Sequence, residues 1–303
     1  MTEAVVSVIV VSHNTREDLL RGLGSLGDVT LPLEVVVVDN ASGDGSADAV
    51  EQRFPHVRVL RNAQNVGFAR ANNRGLFETR APFVLLLNSD AELRPGCLET
   101  LLRILQERPR LGIVAPRTIE ADGAVQVSFG PELTPWREWR QGRLVVGVKR
   151  RQPAALKTAA EAAAREHEPA WVSASCLLAR REAIAAVGGF DEAYFLYEED
   201  VDLCRRVRQA GWGVLFTPAA EAVHHLGRSV ARDPERARFE YNRSHLRYYA
   251  RHNGRLASGA LRVYVGATAA AGWIAGVGPG PERAARRRSC LRLIALAARG
   301  NER

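Results

Sequence analysis

The apolar positions of the first ninety residues fall into short unbroken runs instead of alternating with polar ones. Val5-Val6-Ser7-Val8-Ile9-Val10-Val11, Leu33 to Val38, Val57 to Leu60 and Phe83 to Leu87 are rich in β-branched or aliphatic residues, and each stops at polar chain. Runs of this kind predict strands covered on both faces, as in a parallel sheet. Between them the spacing predicts helices. One starts near Arg16, capped by Asn14 or Thr15, with Leu19, Leu20, Leu23 and Leu26 inward. A second follows the turn Ala41-Ser42-Gly43-Asp44-Gly45-Ser46, and a third covers Phe68 to Thr79. The alternation predicts an α/β fold: a doubly wound, mostly parallel sheet flanked by helices, with right-handed crossovers.

After Pro116 the pattern loosens. Residues 117–170 combine the turn Asp122-Gly123, two exposed tryptophans (Trp136, Trp139), a basic stretch Lys149-Arg150-Arg151 and an alanine-rich segment, Ala154 to Ala164, that predicts a helix. This reads as an insertion over the sheet, where loops carry specificity. Trp171 to Leu178 predicts a strand, and Arg181 to Val187 a helix stopped by Gly188-Gly189. Gly213 to Phe216 predicts another strand, with a turn at Pro218. The expected organisation is a domain over 1–250, in halves 1–116 and 117–250, and a basic helical extension over 251–303.

The strand ends carry the first chemistry. Ligands of open α/β sheets bind outside the carboxyl ends of the strands. Asn14, Asp39, Asn65 and Asp90 stand at four successive ends, and that polar set predicts a pocket. The second concentration is Gly189-Phe190-Asp191-Glu192 followed by Phe195-Leu196-Tyr197-Glu198-Glu199-Asp200-Val201-Asp202-Leu203-Cys204. Its four acids within five positions open an amphipathic helix in which Val201, Cys204 and Val207 share a face. A helix N-terminus favours acids, which accounts for one or two of them. Aromatic flanks (Phe195, Tyr197) against three consecutive carboxylates are expected to raise at least one pKa, as general-base chemistry requires.

Composition narrows the class. At 303 residues, 46% hydrophobic and 25% charged, the chain is neither disordered, collagen-like nor a polytopic membrane protein. Its net charge of +8 admits nucleic acid, an anionic membrane surface or a phosphorylated small molecule as partner. Four widely spaced cysteines (Cys97, Cys176, Cys204, Cys290) read as reduced thiols in a cytosolic protein. The run Val5 to Val11 is too short for a transmembrane helix and follows Glu3, where a secretory signal would be positive. Residues 236–255 interleave arginines with Tyr241, Tyr248 and Tyr249. Leu256 to Val277 is apolar and long enough to span a bilayer by length, but Arg262 and four glycines interrupt it. The tail, with Arg283, Arg286, Arg287, Arg288 and Arg292 beside Leu291, Leu293, Ile294 and Leu296, has two readings. It is a helix on an anionic membrane surface, or a packed C-terminal helix with a solvated basic face.

Five stretches, in order, give the chain a family. They are Val8-Ile9-Val10-Val11-Ser12-His13-Asn14, Val37-Val38-Asp39-Asn40-Ala41-Ser42-Gly43-Asp44-Gly45-Ser46, Asn65-Val66-Gly67-Phe68-Ala69-Arg70-Ala71-Asn72-Asn73-Arg74-Gly75, Leu86-Leu87-Asn88-Ser89-Asp90, and Gly188 to Cys204. The chain resembles a family 2 glycosyltransferase of GT-A fold, in its rhamnosyltransferase-type branch. The resemblance implies that Ser12, Asn14 and Asp39 hold the nucleotide, Asp39 accepting hydrogen bonds from the base. Asn65, Gly67, Phe68 and Asn72 would line its ribose side, Arg70 would reach the base or a phosphate, and Asn88 would join the nucleotide-sugar contacts. Asp90 would bind Mg²⁺ or Mn²⁺ bridging the diphosphate; the family's usual two acids around one residue are here Asn88-Ser89-Asp90.

The same resemblance makes Asp200 the general base of an inverting transfer, with Glu199 beside it, and leaves Glu198, Asp191 and Asp202 orienting or structural. In His224-His225-Leu226-Gly227-Arg228-Ser229, His224 would complete the metal site in preference to His225. Residues 1–116 become the nucleotide-binding half and 117–250 the acceptor-binding and catalytic half. The implied partners are a nucleotide-diphosphate sugar, with rhamnose the sugar of the branch, and a saccharide or lipid-linked acceptor in cell-surface polysaccharide or glycolipid synthesis. The implied location is cytoplasmic, peripheral on the inner face of an anionic membrane. The sequence opposes two rival readings. A nucleotidyltransferase would carry a Gly-rich basic loop where His13-Asn14-Thr15-Arg16-Glu17-Asp18 stands. A nucleic-acid-binding protein would not line its pocket with acids and amides, so no nucleic acid is expected.

Overall fold

The first apolar run lies inside the sheet, with a parallel neighbour on either side. The computed structural model describes residues 3–225, 234–276 and 280–299. In chain order the first elements are β1 (Val6–Ser12), α1 (Arg16–Gly24), β2 (Leu33–Asp39), α2 (Ser46–Arg53), β3 (Arg58–Arg61), α3 (Phe68–Glu78) and β4 (Phe83–Asn88). Then come β5 (Ala91–Leu93), α4 (Cys97–Glu107), β6 (Leu111–Ile119), β7 (Phe129–Gly130), α5 (Pro135–Lys149) and α6 (Pro153–Ala163). β8 (Trp171–Val172), β9 (Cys176–Arg180), α7 (Arg181–Ala185), α8 (Glu199–Gln209) and β10 (Gly213–His224) follow. The last helices are α9 (Pro234–His252), α10 (Gly254–Ala275) and α11 (Pro281–Arg299).

Among the described residues one eight-stranded sheet runs in the order β3-β2-β1-β4-β9-β6-β10-β5. β1 pairs in parallel with β2 and β4, whereas β9 and β5 run antiparallel to their neighbours. This is the mostly parallel, helix-flanked sheet that the alternation predicts. Each face has its own apolar layer, because side chains alternate along a strand. Val8, Val10 and Leu85 pack with Leu19, Leu98 and Leu101 on one side. Ile9, Val36 and Leu86 pack with Leu203, Val207 and Phe216 on the other.

Three local expectations are corrected. Thr15 stands at the N-cap of α1 without a capping bond of its own; its hydroxyl is engaged by Ser12 and Ser89, and Asp44 Oδ2 accepts from Arg16 N at 3.0 Å. The single strand expected from Trp171 to Leu178 is two, because β8 pairs with β7 and β9 with β4 and β6, with the turn Ser173-Ala174-Ser175 between. The strand expected to end at Phe216 continues to His224. Pro218 cannot donate to a ladder, and β10 absorbs it in a register shift between Thr217 and Glu221.

The chain forms two compact units, Met1–Ala193 with Asp200–Ser229, and Tyr194–Glu199 with Val230–Arg303. The first holds the sheet. In the second, the short segment packs on α9: Tyr194 is fully buried beneath the Arg247 guanidinium, 5.6 Å from its ring centre, and Ser244 Oγ donates to Leu196 O at 2.8 Å. α10 and α11 pack together, and Arg262 donates to the carbonyls of Ala297 and Ala298 at 3.0 Å each. Among the described residues no helix is long and apolar enough to cross a membrane. All four cysteines are free and buried.

Candidate active site

Parallel register sets Ser12 opposite Asp39, and Val11 opposite Asn88, so the carboxyl ends of β2, β1 and β4 lie side by side. Buried hydroxyls join them: Ser12 Oγ is 3.0 Å from Thr15 Oγ1, which donates to Ser89 Oγ at 2.9 Å. The Asp39 carboxylate accepts from Ser42 N at 3.2 Å through Oδ2. Its Oδ1 is buried with no hydrogen-bond partner among the described residues, as is Asn88 Oδ1. A buried acceptor left unmatched costs about 1–3 kcal/mol, so both atoms call for a ligand with donors or positive charge.

Asn40, which the sequence reading did not single out, organises the loop beside Asp39. Its Nδ2 donates to Asn65 Oδ1 (2.9 Å) and Gly67 O (3.2 Å), and its Oδ1 accepts from Asn62 Nδ2 (2.9 Å) and Val66 N (3.0 Å). Asn65 also accepts from Gly67 N at 3.0 Å, so its side chain shapes this loop. Gly67, at φ 88 and ψ 170, holds a conformation open to glycine alone and starts α3. Asn14, at φ 56, accepts from Gly43 N at 2.7 Å through its side chain and donates its own backbone N–H to Ser42 Oγ at 2.9 Å, tying the β1 and β2 loops together. Phe68 meets Phe190 edge-on. Two expected contacts are turned elsewhere: the buried Asn72 amide donates to Phe68 O within its own helix, and Arg70 pairs with Glu192 at 2.8 Å.

Across the sheet, the pairing of His224 with Ala91 brings His224 Nε2 to 3.1 Å from Asp90 Oδ1 and 3.4 Å from Asn88 Nδ2. Gln126, also missed from sequence, fixes the imidazole. Its Nε2 donates to His224 O at 2.7 Å, which leaves Oε1 to accept from Nδ1–H at 3.1 Å. The other ring nitrogen, Nε2, thus faces Asp90 Oδ1 with Asn88 Nδ2 beside it. Burial pushes the Asp90 carboxyl up, but the hydrogen bond and charge of His224 outweigh it and hold the group below the ordinary carboxylate value. Hard oxygens with one imidazole suit Mg²⁺ or Mn²⁺. Among the described residues no three His, Cys, Asp or Glu side chains cluster. His225 turns to Glu92 instead, and Leu226 to Ser229 lie outside the described residues.

Asp200 sits in the first turn of α8. Its Oδ2 accepts from Ala174 N at 3.1 Å and its Oδ1 from Val201 N at 2.9 Å, while Ser175 O accepts from Asn88 N at 2.9 Å. One turn, Ser173-Ala174-Ser175, therefore holds Asp200 on one side and the end of β4 on the other. Asp202 is fully buried and pairs with Arg206 at 2.5 Å, whose guanidinium also holds Val187 O and Gly189 O at 2.8 Å. That clamp fastens α8 to the Gly188-Gly189 turn. Within the second unit, Tyr197 and Glu198 are consecutive non-glycine residues at φ 71 and 64. Such strain persists only where neighbours over-determine it. His245 Nδ1 lies 3.0 Å from Glu198 Oε1, and Tyr241 meets the Tyr197 ring. A cavity of about 450 Å³ beside α5 and α6, with Gln126, Phe129, Gln141 and His167 in its wall, is lined by none of the site residues expected from sequence.

A mostly parallel, helix-flanked sheet with amides and carboxylates gathered at its strand ends is an α/β architecture of GT-A type. The chain belongs to glycosyl transferase family 2, whose family model matches residues 7–184. A relative in Mycobacterium tuberculosis, an N-acetylglucosaminyl-diphospho-decaprenol L-rhamnosyltransferase, is 34% identical over 281 residues, covering 82% of this chain and 86% of that protein. Among solved structures, the mannosyltransferase PcManGT of Pyrobaculum calidifontis, in complex with GDP-Man and Mn²⁺, superimposes with a TM-score of 0.58. It shares 18% identity, covering 98% of this chain and 86% of that one. GalNAc-T7 with UDP, GalNAc and Mn²⁺ follows at 0.55 and 16% identity, covering 73% of this chain and 43% of that one. These likenesses establish the fold and a glycosyltransferase.

Proposed function

We propose that the chain transfers a sugar, rhamnose in the first instance, from a nucleotide diphosphate to a lipid-linked saccharide acceptor with inversion of configuration. The observation that carries the reading is the pair of unmatched buried oxygens, Asp39 Oδ1 and Asn88 Oδ1, at the ends of the two strands flanking β1. Asp39 Oδ1 would accept from the base, and Asn88 stands two residues before Asp90. The lipid-linked acceptor is drawn from the mycobacterial relative, whose own acceptor is a diphospho-decaprenol.

Ser12 and Asp39 would receive the nucleoside, and the loop held by Asn40 and Asn65 would wall its ribose. Asp90 and His224 would hold Mg²⁺ or Mn²⁺, with Gln126 fixing the imidazole tautomer. The bound cation would stabilise the charge that gathers on the departing diphosphate. Asp200 would take the proton from the acceptor hydroxyl as its oxygen forms the bond to the anomeric carbon and the bond to the diphosphate oxygen breaks. A single displacement of this kind inverts the centre and leaves no sugar on the enzyme. Glu199 lies beside the base, and an acceptor anchored in a bilayer implies work at its cytoplasmic face, where nucleotide sugars are.

The test is a transfer and hydrolysis screen across common nucleotide sugars with Mg²⁺ or Mn²⁺, with and without a GlcNAc-diphospho-polyprenol. Metal-dependent transfer with an inverted product supports the reading. No donor bound or consumed under any pairing removes it.

A further inference from the structure

The charge of this chain is not spread over its surface. Residues 254–303 carry nine arginines against two glutamates, net +7 of the chain's +8. In the same stretch α10 shows an apolar stripe to solvent. Leu256, Ala260, Val263, Ala267, Ala271 and Ile274 recur at helical spacing and are all exposed, Leu256 at 92%, Val263 at 73% and Ile274 at 67%. The stripe runs about 27 Å along the helix and carries no charged residue. The opposite face, with Val265 and Ala269 buried, packs on α11, and Gly272 allows that approach: a Cβ there would lie 3.1 Å from Cys290 Sγ.

The arginines of α11 divide by position. Arg287 lies over Trp273 at 4.4 Å and Arg292 over Phe239 at 4.2 Å, which draws both toward the unit's own rings. Arg283, Arg286 and Arg288 are exposed, beside the exposed Leu291. An uninterrupted apolar stripe of this size is rare on a protein surface that faces only water.

We infer that the α10–α11 pair is a membrane-surface docking element, laying its stripe among the acyl chains of an anionic bilayer while the arginines of α11 meet the headgroups. The charge selects this occupant. A second copy would bring one segment of net charge +7 against another, a juxtaposition that costs free energy, whereas anionic lipid is attracted by each basic residue. The depth is interfacial, because no described helix can cross the membrane. The inference rests on the proposed lipid-linked acceptor for its purpose, but not for its evidence.

Flotation of the full chain with vesicles of phosphatidylcholine, with and without phosphatidylglycerol, tests it without donor or acceptor present. The chain should float with the anionic vesicles, weakly with the neutral ones, and less as salt rises. Arg286→Gln with Arg288→Gln should weaken flotation about tenfold or more. Val263→Glu with Ile274→Glu should do so as well, each pair leaving the thermal melt and transfer to a short-chain acceptor unchanged. Arg286 and Arg288 are exposed, so that pair reads out even if the glutamates disturb the fold. Flotation that ignores lipid charge overturns the inference. So does a dimer broken by the glutamate pair with flotation intact, or binding of single-stranded nucleic acid in place of vesicles. Flotation as expected with no sugar transfer would fault the transfer reading alone.

Discussion

His224 Nε2 lies 3.1 Å from Asp90 Oδ1 across 134 residues of sequence, and Gln126 dictates which of the two ring nitrogens points that way. Asp90→Asn and His224→Ala should each weaken Mn²⁺-dependent binding of a nucleoside diphosphate while leaving metal-free binding little changed. Gln126→Ala, which touches the ring and not the carboxylate, should cost roughly 10–100-fold in metal affinity. Calorimetric titration with and without chelator reads all three, and unchanged metal dependence in the His224 variant would remove it from the site.

Asp200→Asn keeps the shape of the side chain and its bond from Ala174 N but cannot take a proton. Transfer should fall by about 10²–10⁴-fold with donor affinity nearly intact. Loss of donor binding with residual turnover would mean that Asp90 and Asp200 have exchanged roles.

Asn40 satisfies four partners through one buried amide. Asn40→Ala leaves several of them unmatched and should lower stability by about 1–3 kcal/mol, seen as a reduced urea midpoint. Nucleotide affinity should fall with it, because Asn65 and Gly67 lose their tie to β2.

Burial pushes the Cys204 thiol up to about 12 from 9.0. The folded state therefore disfavours its thiolate, so the thiol's contribution is whole below pH 9 and declines as pH rises towards 12. At mild alkaline pH an aromatic disulfide reagent should find none of the four buried cysteines until denaturant is added. Rapid native labelling of Cys204 would contradict the packing of α8.

β1, β2 and β4 were legible because each is a largely buried apolar run, whereas β3 is an edge strand with Arg58 and Arg61 exposed and shows only Val59 and Leu60 as signal. Asp39, Asp90 and Asp200 were legible as acids in motifs. Asn40 and Gln126 were not: an amide in a loop is ordinary in sequence, and their partners come from distant segments that only the folded pairing assembles. Pro218 misled for a related reason. It reads as a stop, yet β10 passes it in a bulge and so carries His224 to Ala91. The break in Trp171 to Leu178 had no local signal, since both halves are apolar and only their different partners separate them.

The six residues Tyr194–Glu199 belong with the C-terminal helices, although the chain on both sides belongs with the sheet. A chain cut after Ser229 would therefore keep every strand but deprive Tyr194, Leu196 and Glu198 of the α9 side chains that hold them. The run leading into Asp200 would be left without its brace. The helices after the sheet are therefore not a removable tag: the acidic turn folds as part of them.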